Sequence, residues 1–189
     1  MFIQTEETPN PQTLKFIPHG QIVAGDRVYE FKTQKEASTI SPLATQLLEI
    51  SGVKSLFFGK DFITVTKADN ESDWQNIKAE INATILDFYV SGKEIFFKKD
   101  SPKDTDEAED NEIVKQIKEL IEIKVRPAVA MDGGDITFYS FKDGVVKLQL
   151  KGSCSGCPSS TITLKNGIEN MLKHYIPEVE SVEQLEDEF

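Results

Sequence analysis

Cys154 and Cys157 are the only two cysteines in the 189-residue chain, three positions apart in the stretch KGSCSGCPSS at residues 151–160. Thiols at that spacing suit three chemistries: exchange with a disulfide, half of a zinc site, or half of an iron–sulfur site. A structural staple is the poorer reading, because so short a loop constrains the unfolded chain little. The flanking Gly152, Ser153, Ser155 and Gly156 suit an exposed turn better than a core. Pro158 fits the first position of a helix, where the N–H it lacks would have had no intrahelical partner. Cys157 is then expected at the helix cap and Cys154 in the turn before it. The positive end of the helix dipole, with Lys151 nearby, favours thiolate, which is both the nucleophile and the metal ligand. Gly152 and Gly156 leave room for backbone N–H groups to approach sulfur.

Ligand arithmetic narrows what the pair can hold. Zinc and iron–sulfur clusters each call for about four soft ligands, and one chain brings two thiols. His19 lies far off in sequence and His174 about five turns along the following helix, so both read as surface or helix-end histidines. Two copies of the chain meeting about a twofold axis supply four thiolates with no further residue. The cluster-bound protein is therefore expected to be a homodimer bridged by its cargo. A dithiol oxidoreductase of the thioredoxin type is the enzymatic alternative, and a zinc-bridged structural dimer the other. The thioredoxin arrangement needs a βαβ unit before the motif and a hairpin after it, and the order of elements here fits it poorly. Asp132 and Asp135, around Gly133 and Gly134, read as caps of a helix-to-strand turn rather than as a metal site. No Ser/His/Asp arrangement, phosphate-cradling glycine loop or catalytic carboxylate pair is legible, so the protein is read as non-enzymatic.

Several elements must position the pair. Ile113, Ile117, Leu120 and Ile121 mark an amphipathic helix that should lose regularity near Pro127. MDGGD then leads into a hairpin, ITFYSF and VVKLQLKG, whose Asp143 and Gly144 suit a tight turn. After the cysteines, Leu164, Ile168, Met171 and Tyr175 are expected on one helix face, closed by Pro177, and EVESVEQL gives a last strand. The order is αββαβ. In the amino-terminal half, FIQTEET and TLKFIP flank a proline turn as two short strands. Ser41 and Pro42 start a helix carrying Leu43, Leu47 and Ile50, which Gly52 stops. VKSLFF and DFITVT form a hairpin around Gly59 and Lys60. Ser72 or Asp73 caps a helix whose Trp74, Ile77, Ile81, Ile85 and Phe88 recur at helical spacing as core. That order is ββαββα.

Charge divides the two halves. Lys and Arg number 21 against 32 Asp and Glu, a net charge of −11 that would repel a polyphosphate backbone or an anionic membrane surface. Residues 1–98 and 113–189 each carry a net −3, whereas residues 99–112 alone carry −5. That acidic stretch has no large apolar residue and reads as a flexible, self-repelling linker. The expected organisation is an α+β chain of two small domains, 1–98 and 111–189, joined by the linker 99–110. No apolar run is long enough to cross a bilayer. The start, MFIQTEETPNPQTLKF, has neither a signal peptide's apolar core nor a transit peptide's shortage of acids.

RPAVAMDGGDI, GSCSGCPSSTITLKNGIENML and IPEVESVEQ, in this order, resemble the carboxy-terminal NifU-like domain of the Nfu family of iron–sulfur cluster carriers. TPNPQTLKFIP is similar to the Nfu amino-terminal domain. The resemblance covers nearly the whole chain apart from the acidic linker. It implies a scaffold or carrier that receives an assembled cluster from an upstream assembly scaffold and transfers it to apo client enzymes. The cluster so implied is usually [4Fe–4S], although four thiolates would also satisfy [2Fe–2S]. The ligand role falls on Cys154 and Cys157, with Gly152, Gly156 and Pro158 shaping the turn around them. Bacterial cytoplasm is the implied location, or the mitochondrial matrix for a trimmed form. The amino-terminal half has no cysteine and no pocket signature; it is expected to dock clients or to modulate the carboxy-terminal dimer, the alternative being that it only solubilises or stabilises its neighbour.

Overall fold

A computed structural model describes residues 2–25, 27–68, 73–97, 112–155 and 158–185, with the backbone alone over 158–163. The chain divides into two compact units, Met1–Pro102 and Lys103–Phe189. The expected linker at 99–110 lies outside the described residues.

Among the described residues, the first unit has a five-stranded antiparallel sheet and three helices. Strands β1 (Ile3–Glu7) and β2 (Thr13–Pro18) pair across the proline turn, and β3 (Tyr29–Phe31) follows. Helices α1 (Gln34–Ile40) and α2 (Pro42–Glu49) precede the hairpin β4 (Val53–Phe58) and β5 (Ile63–Lys67), and α3 (Trp74–Val90) closes the unit. The sheet order is β1-β2-β5-β4-β3. Leu14 and Phe16, Leu56 and Phe58, and Ile63 and Val65 alternate onto one face and are buried with Leu43, Leu47, Ile81, Ile85 and Phe88 of the helices. The two-residue period of the strands meets the helical period of α2 and α3 in a single core. Ser41 caps α2 by accepting the Ala44 N–H at 3.2 Å, ahead of Pro42 at the first helical position. Asp73 caps α3 by accepting the Gln75 N–H at 3.0 Å; Ser72 lies outside the described residues.

Two elements depart from the ββαββα expectation, namely β3 and α1. Three residues of β3 are too few to show alternation. Helix α1 carries a start signal nonetheless: Thr33 accepts the Glu36 N–H while the Glu36 carboxylate accepts the Thr33 N–H, a capping box. Only one α1 residue, Ala37, is buried, so no apolar stripe advertises it.

The second unit begins with α4 (Glu112–Leu120), a wide π-turn over Ile121–Val125, and α5 (Arg126–Met131). Regularity is lost just ahead of Pro127, as its missing N–H and its ring demand. The wide turn has a packing consequence. Ile117, Ile121, Val125 and Val129 are all buried at a strict spacing of four. In an α-helix three such steps would drift by about 120° around the axis; an inserted wide turn brings the stripe back into phase. Strands β6 (Gly134–Lys142) and β7 (Val145–Gly152) form an antiparallel hairpin whose turn residues Asp143 and Gly144 both have positive φ, 50° and 76°. Helix α6 (Pro158–Tyr175) then carries the chain over to β8 (Ser181–Gln184), which pairs parallel to β7. The sheet order is β6-β7-β8, and Val146, Leu148 and Leu150 share one core with α4, α5 and α6.

The expected face of α6 forms over most of its length, Leu164, Ile168 and Met171 all packing on the core of the second unit. Ile168, Leu172 and Ile176 are buried, whereas Tyr175 is exposed. Tyr175, the last residue of the helix, is the one expected member that faces away, and Ile176, immediately after the helix, is buried instead.

Candidate iron–sulfur site

The cysteine turn hangs between the end of β7 and the start of α6. Gly152 closes β7 with φ of +67°, a backbone conformation that side chains with a Cβ seldom adopt. Ser155 N–H donates to the Gly152 carbonyl at 3.1 Å, turning the chain back, and Ser153 N–H donates to the Gly133 carbonyl at 3.2 Å. The turn is thus tied to the segment between α5 and β6. Helix α6 starts at Pro158, where the missing N–H predicts it. Gly156 and Cys157 lie outside the described residues.

Cys154 is 3% exposed and belongs to the core of the second unit. Its neighbours Gly152 and Ser153 are buried as well. The expected exposed turn is therefore not what forms at Cys154. Small residues let the turn fold inward against the first residues of β6, where a composition argument sees only flexibility. The paired strands explain the close approach: Gly134 lies opposite Gly152, and Asp135 opposite Lys151.

Beside the turn lies a charged group that the sequence reading assigned wrongly. Asp135, expected as a local cap, is 3% exposed and accepts two hydrogen bonds from Arg126, Nε to Oδ1 at 2.7 Å and Nη2 to Oδ2 at 3.2 Å. A carboxylate so placed needs a partner, and the two-pronged guanidinium supplies it. Arg126 also donates through Nη1 to both oxygens of Glu122, at 2.8 and 3.1 Å. Its pKa is raised, first by the hydrogen bond to Asp135 and then, against the effect of burial, by that to Glu122. Arg126 was missed because nothing in a separation of nine residues marks such a pair. Asp132, by contrast, ends α5, its N–H donating to the Ala128 and Ala130 carbonyls. No three His, Cys, Asp or Glu side chains come together as a metal site among the described residues. His19 and His174 are both exposed, His19 bonded to Gln4 Oε1 at 2.8 Å and His174 edge-on to Tyr175.

Among the described residues the turn holds one soft sulfur, at Cys154, with no cluster of three or more His, Cys, Asp or Glu side chains that could hold a metal ion beside it; Cys157 follows three positions on in the sequence. Thiolates in pairs suit zinc or iron–sulfur units rather than magnesium or calcium.

The chain matches two family descriptions in order: "Scaffold protein Nfu/NifU N terminal" over residues 3–92 and "NifU-like domain" over residues 117–183. It is 54% identical over 188 residues to the human protein named NFU1 iron-sulfur cluster scaffold homolog, mitochondrial, covering 100% of this chain and 73% of that one. With the Drosophila willistoni protein of the same name it shares 51% identity over 189 residues, covering 100% of this chain and 65% of the other. Among solved structures, the solution structure of a NifU-like protein from Saccharomyces cerevisiae is 30% identical with a TM-score of 0.46, covering 52% of this chain and 87% of that one.

Proposed function

Since this chain belongs to the Nfu family of iron–sulfur cluster scaffold proteins, carrying both its amino-terminal and its NifU-like domain, we propose that it carries an iron–sulfur cluster and hands it to apo client proteins. The observation that carries this reading is the paired thiols: Cys154 and Cys157 are the chain's entire complement of cysteine, placed directly before α6. Two thiolates are half a ligand set, so a cluster is held between two protomers. Both Cys154 and Cys157 are ligands in this proposal. The cargo in this proposal is [4Fe–4S], on the family resemblance alone, since four thiolates satisfy [2Fe–2S] equally.

Sharing makes the cargo transferable. Client thiolates replace one protomer's pair stepwise, and the departing cysteines take up the protons that the incoming ones release. No bond in a substrate is made or broken beyond this ligand exchange, so the protein acts as a carrier rather than an enzyme. An upstream assembly scaffold loads it. The amino-terminal domain docks clients. Its relatives' names favour the mitochondrion over the bacterial cytoplasm as its location.

Anaerobic purification with assay of iron, acid-labile sulfide and zinc, followed by mass determination of the coloured fraction, tests the proposal. Iron and sulfide on a dimer are expected. Zinc alone would instead support a structural dimer, and a metal-free, redox-active dithiol an oxidoreductase. Cys154→Ser should abolish both the cluster and the cluster-dependent dimer while leaving circular dichroism unchanged. Normal iron and sulfide in that variant would sink the ligand assignment.

A further inference from the structure

Gly134, the first residue of β6, is not at a positive φ, so its backbone conformation does not call for glycine. Space is what restricts it. A Cβ built there would lie 2.6 Å from the Lys151 carbonyl oxygen, 3.0 Å from Cys154 Sγ and 3.3 Å from Cys154 Cβ. The first of these is a distance that real Cβ atoms essentially never show. The missing side chain is therefore the seat into which the cysteine turn settles. On one side of that seat, Gly133 accepts the Ser153 N–H. On the other, Asp135 is clamped by Arg126, which fixes the first residues of β6 to α5.

We propose that Gly134 is a positioning residue for Cys154, its lack of a Cβ setting where the thiol sits, with the Arg126–Asp135 pair holding the seat in place. The purpose of the seat rests on the cluster-carrier reading. Its existence does not. Cys154, at 3% exposure, reaches reagents only by local opening, and the seat sets how rarely that happens. Any side chain at position 134 pushes the Lys151–Cys154 turn outward, altering both the exposure of the thiol and its place in a four-thiolate set.

The test uses the full chain in its apo form, with Cys157→Ser so that Cys154 alone reports, and measures the rate of alkylation by iodoacetamide under anaerobic conditions. Gly134→Ala should speed alkylation about fivefold or more, the consequence expected of overpacking a close contact. Gly167→Ala is the control, because a Cβ there meets nothing within 4 Å, and its rate should equal that of the parent. Equal rates for a folded Gly134→Ala and its parent would overturn the inference. Should Gly134→Ala fail to fold, Arg126→Lys decides: it keeps the charge, loses the two-pronged bond to Asp135, and should also speed alkylation. An unchanged rate there overturns the inference equally. With both cysteines restored, reconstituted Gly134→Ala should hold less iron and sulfide than wild type. If wild type takes up no cluster, the carrier reading fails while the alkylation result still stands.

Discussion

A buried side chain is decided by the partners its atoms find, and residues close in sequence diverge for that reason. Asp132 and Asp135 are three apart in the same turn. Asp132 ends a helix at the surface, whereas Asp135 is buried against Arg126. Tyr89 of α3 shows the opposite case. Its ring packs against the first unit's core, yet its hydroxyl is buried with no hydrogen-bond partner among the described residues. Burial pushes its pKa up to about 12. A hydroxyl left in that state costs stability, so Tyr89→Phe, which keeps the ring, should stabilise the unit by about 1 kcal/mol. Thermal or urea unfolding reads this directly. A clear loss of stability instead would mean that the hydroxyl has a partner.

Elements succeed where capping, periodicity and packing agree. Helix α2 has a serine cap, a proline start and a buried apolar face, and it forms where all three signals coincide. The seam between α6 and β8 depends on a side chain that no periodicity marks. Glu169 accepts a bond from Lys173 Nζ at 2.7 Å and from the Val182 N–H at 2.9 Å, pinning the last strand to the helix. These two partners, Lys173 first, hold its carboxyl below the ordinary value of 4.5. A carboxyl whose folded pKa is depressed contributes stability that is fully present above the unfolded value and is lost as pH falls through the folded one. The second unit should therefore lose stability as pH drops below about 4.5, over and above what Glu169→Gln shows. Melting temperatures of the two proteins across that range provide the check; parallel curves would assign the acid sensitivity to other carboxyls.

At the scale of the molecule, the two units have separate cores, one built on five antiparallel strands and the other on three mixed strands. Each matches a separate family description. Expressed alone, residues 1–98 and 111–189 should each unfold cooperatively. Residues 111–189 should bind as much iron and sulfide per subunit as the full chain, but deliver it to a client more slowly. An unchanged transfer rate for every client tested would remove the docking role given to the amino-terminal domain. Failure of either fragment to fold would mean that its core is completed by the other.

Local physics made most of the elements legible. Alternation marked the hairpins β4–β5 and β6–β7, Asp143 and Gly144 marked a turn needing positive φ, and Pro127 marked the loss of helical regularity, because each is governed by neighbours in sequence. The pair of thiols and its spacing were legible by residue type alone, and their role as ligands shared with a second chain belongs to the proposal. Tertiary structure decided what depends on distant partners. It buried Cys154 against Gly134, drew Asp135 onto Arg126, turned Ile176 inward in place of Tyr175, and made a π-turn where a buried stripe had to stay in phase. Burial and close approach are properties of surfaces brought together by folding, and a one-dimensional pattern carries no distance between residues 134 and 154.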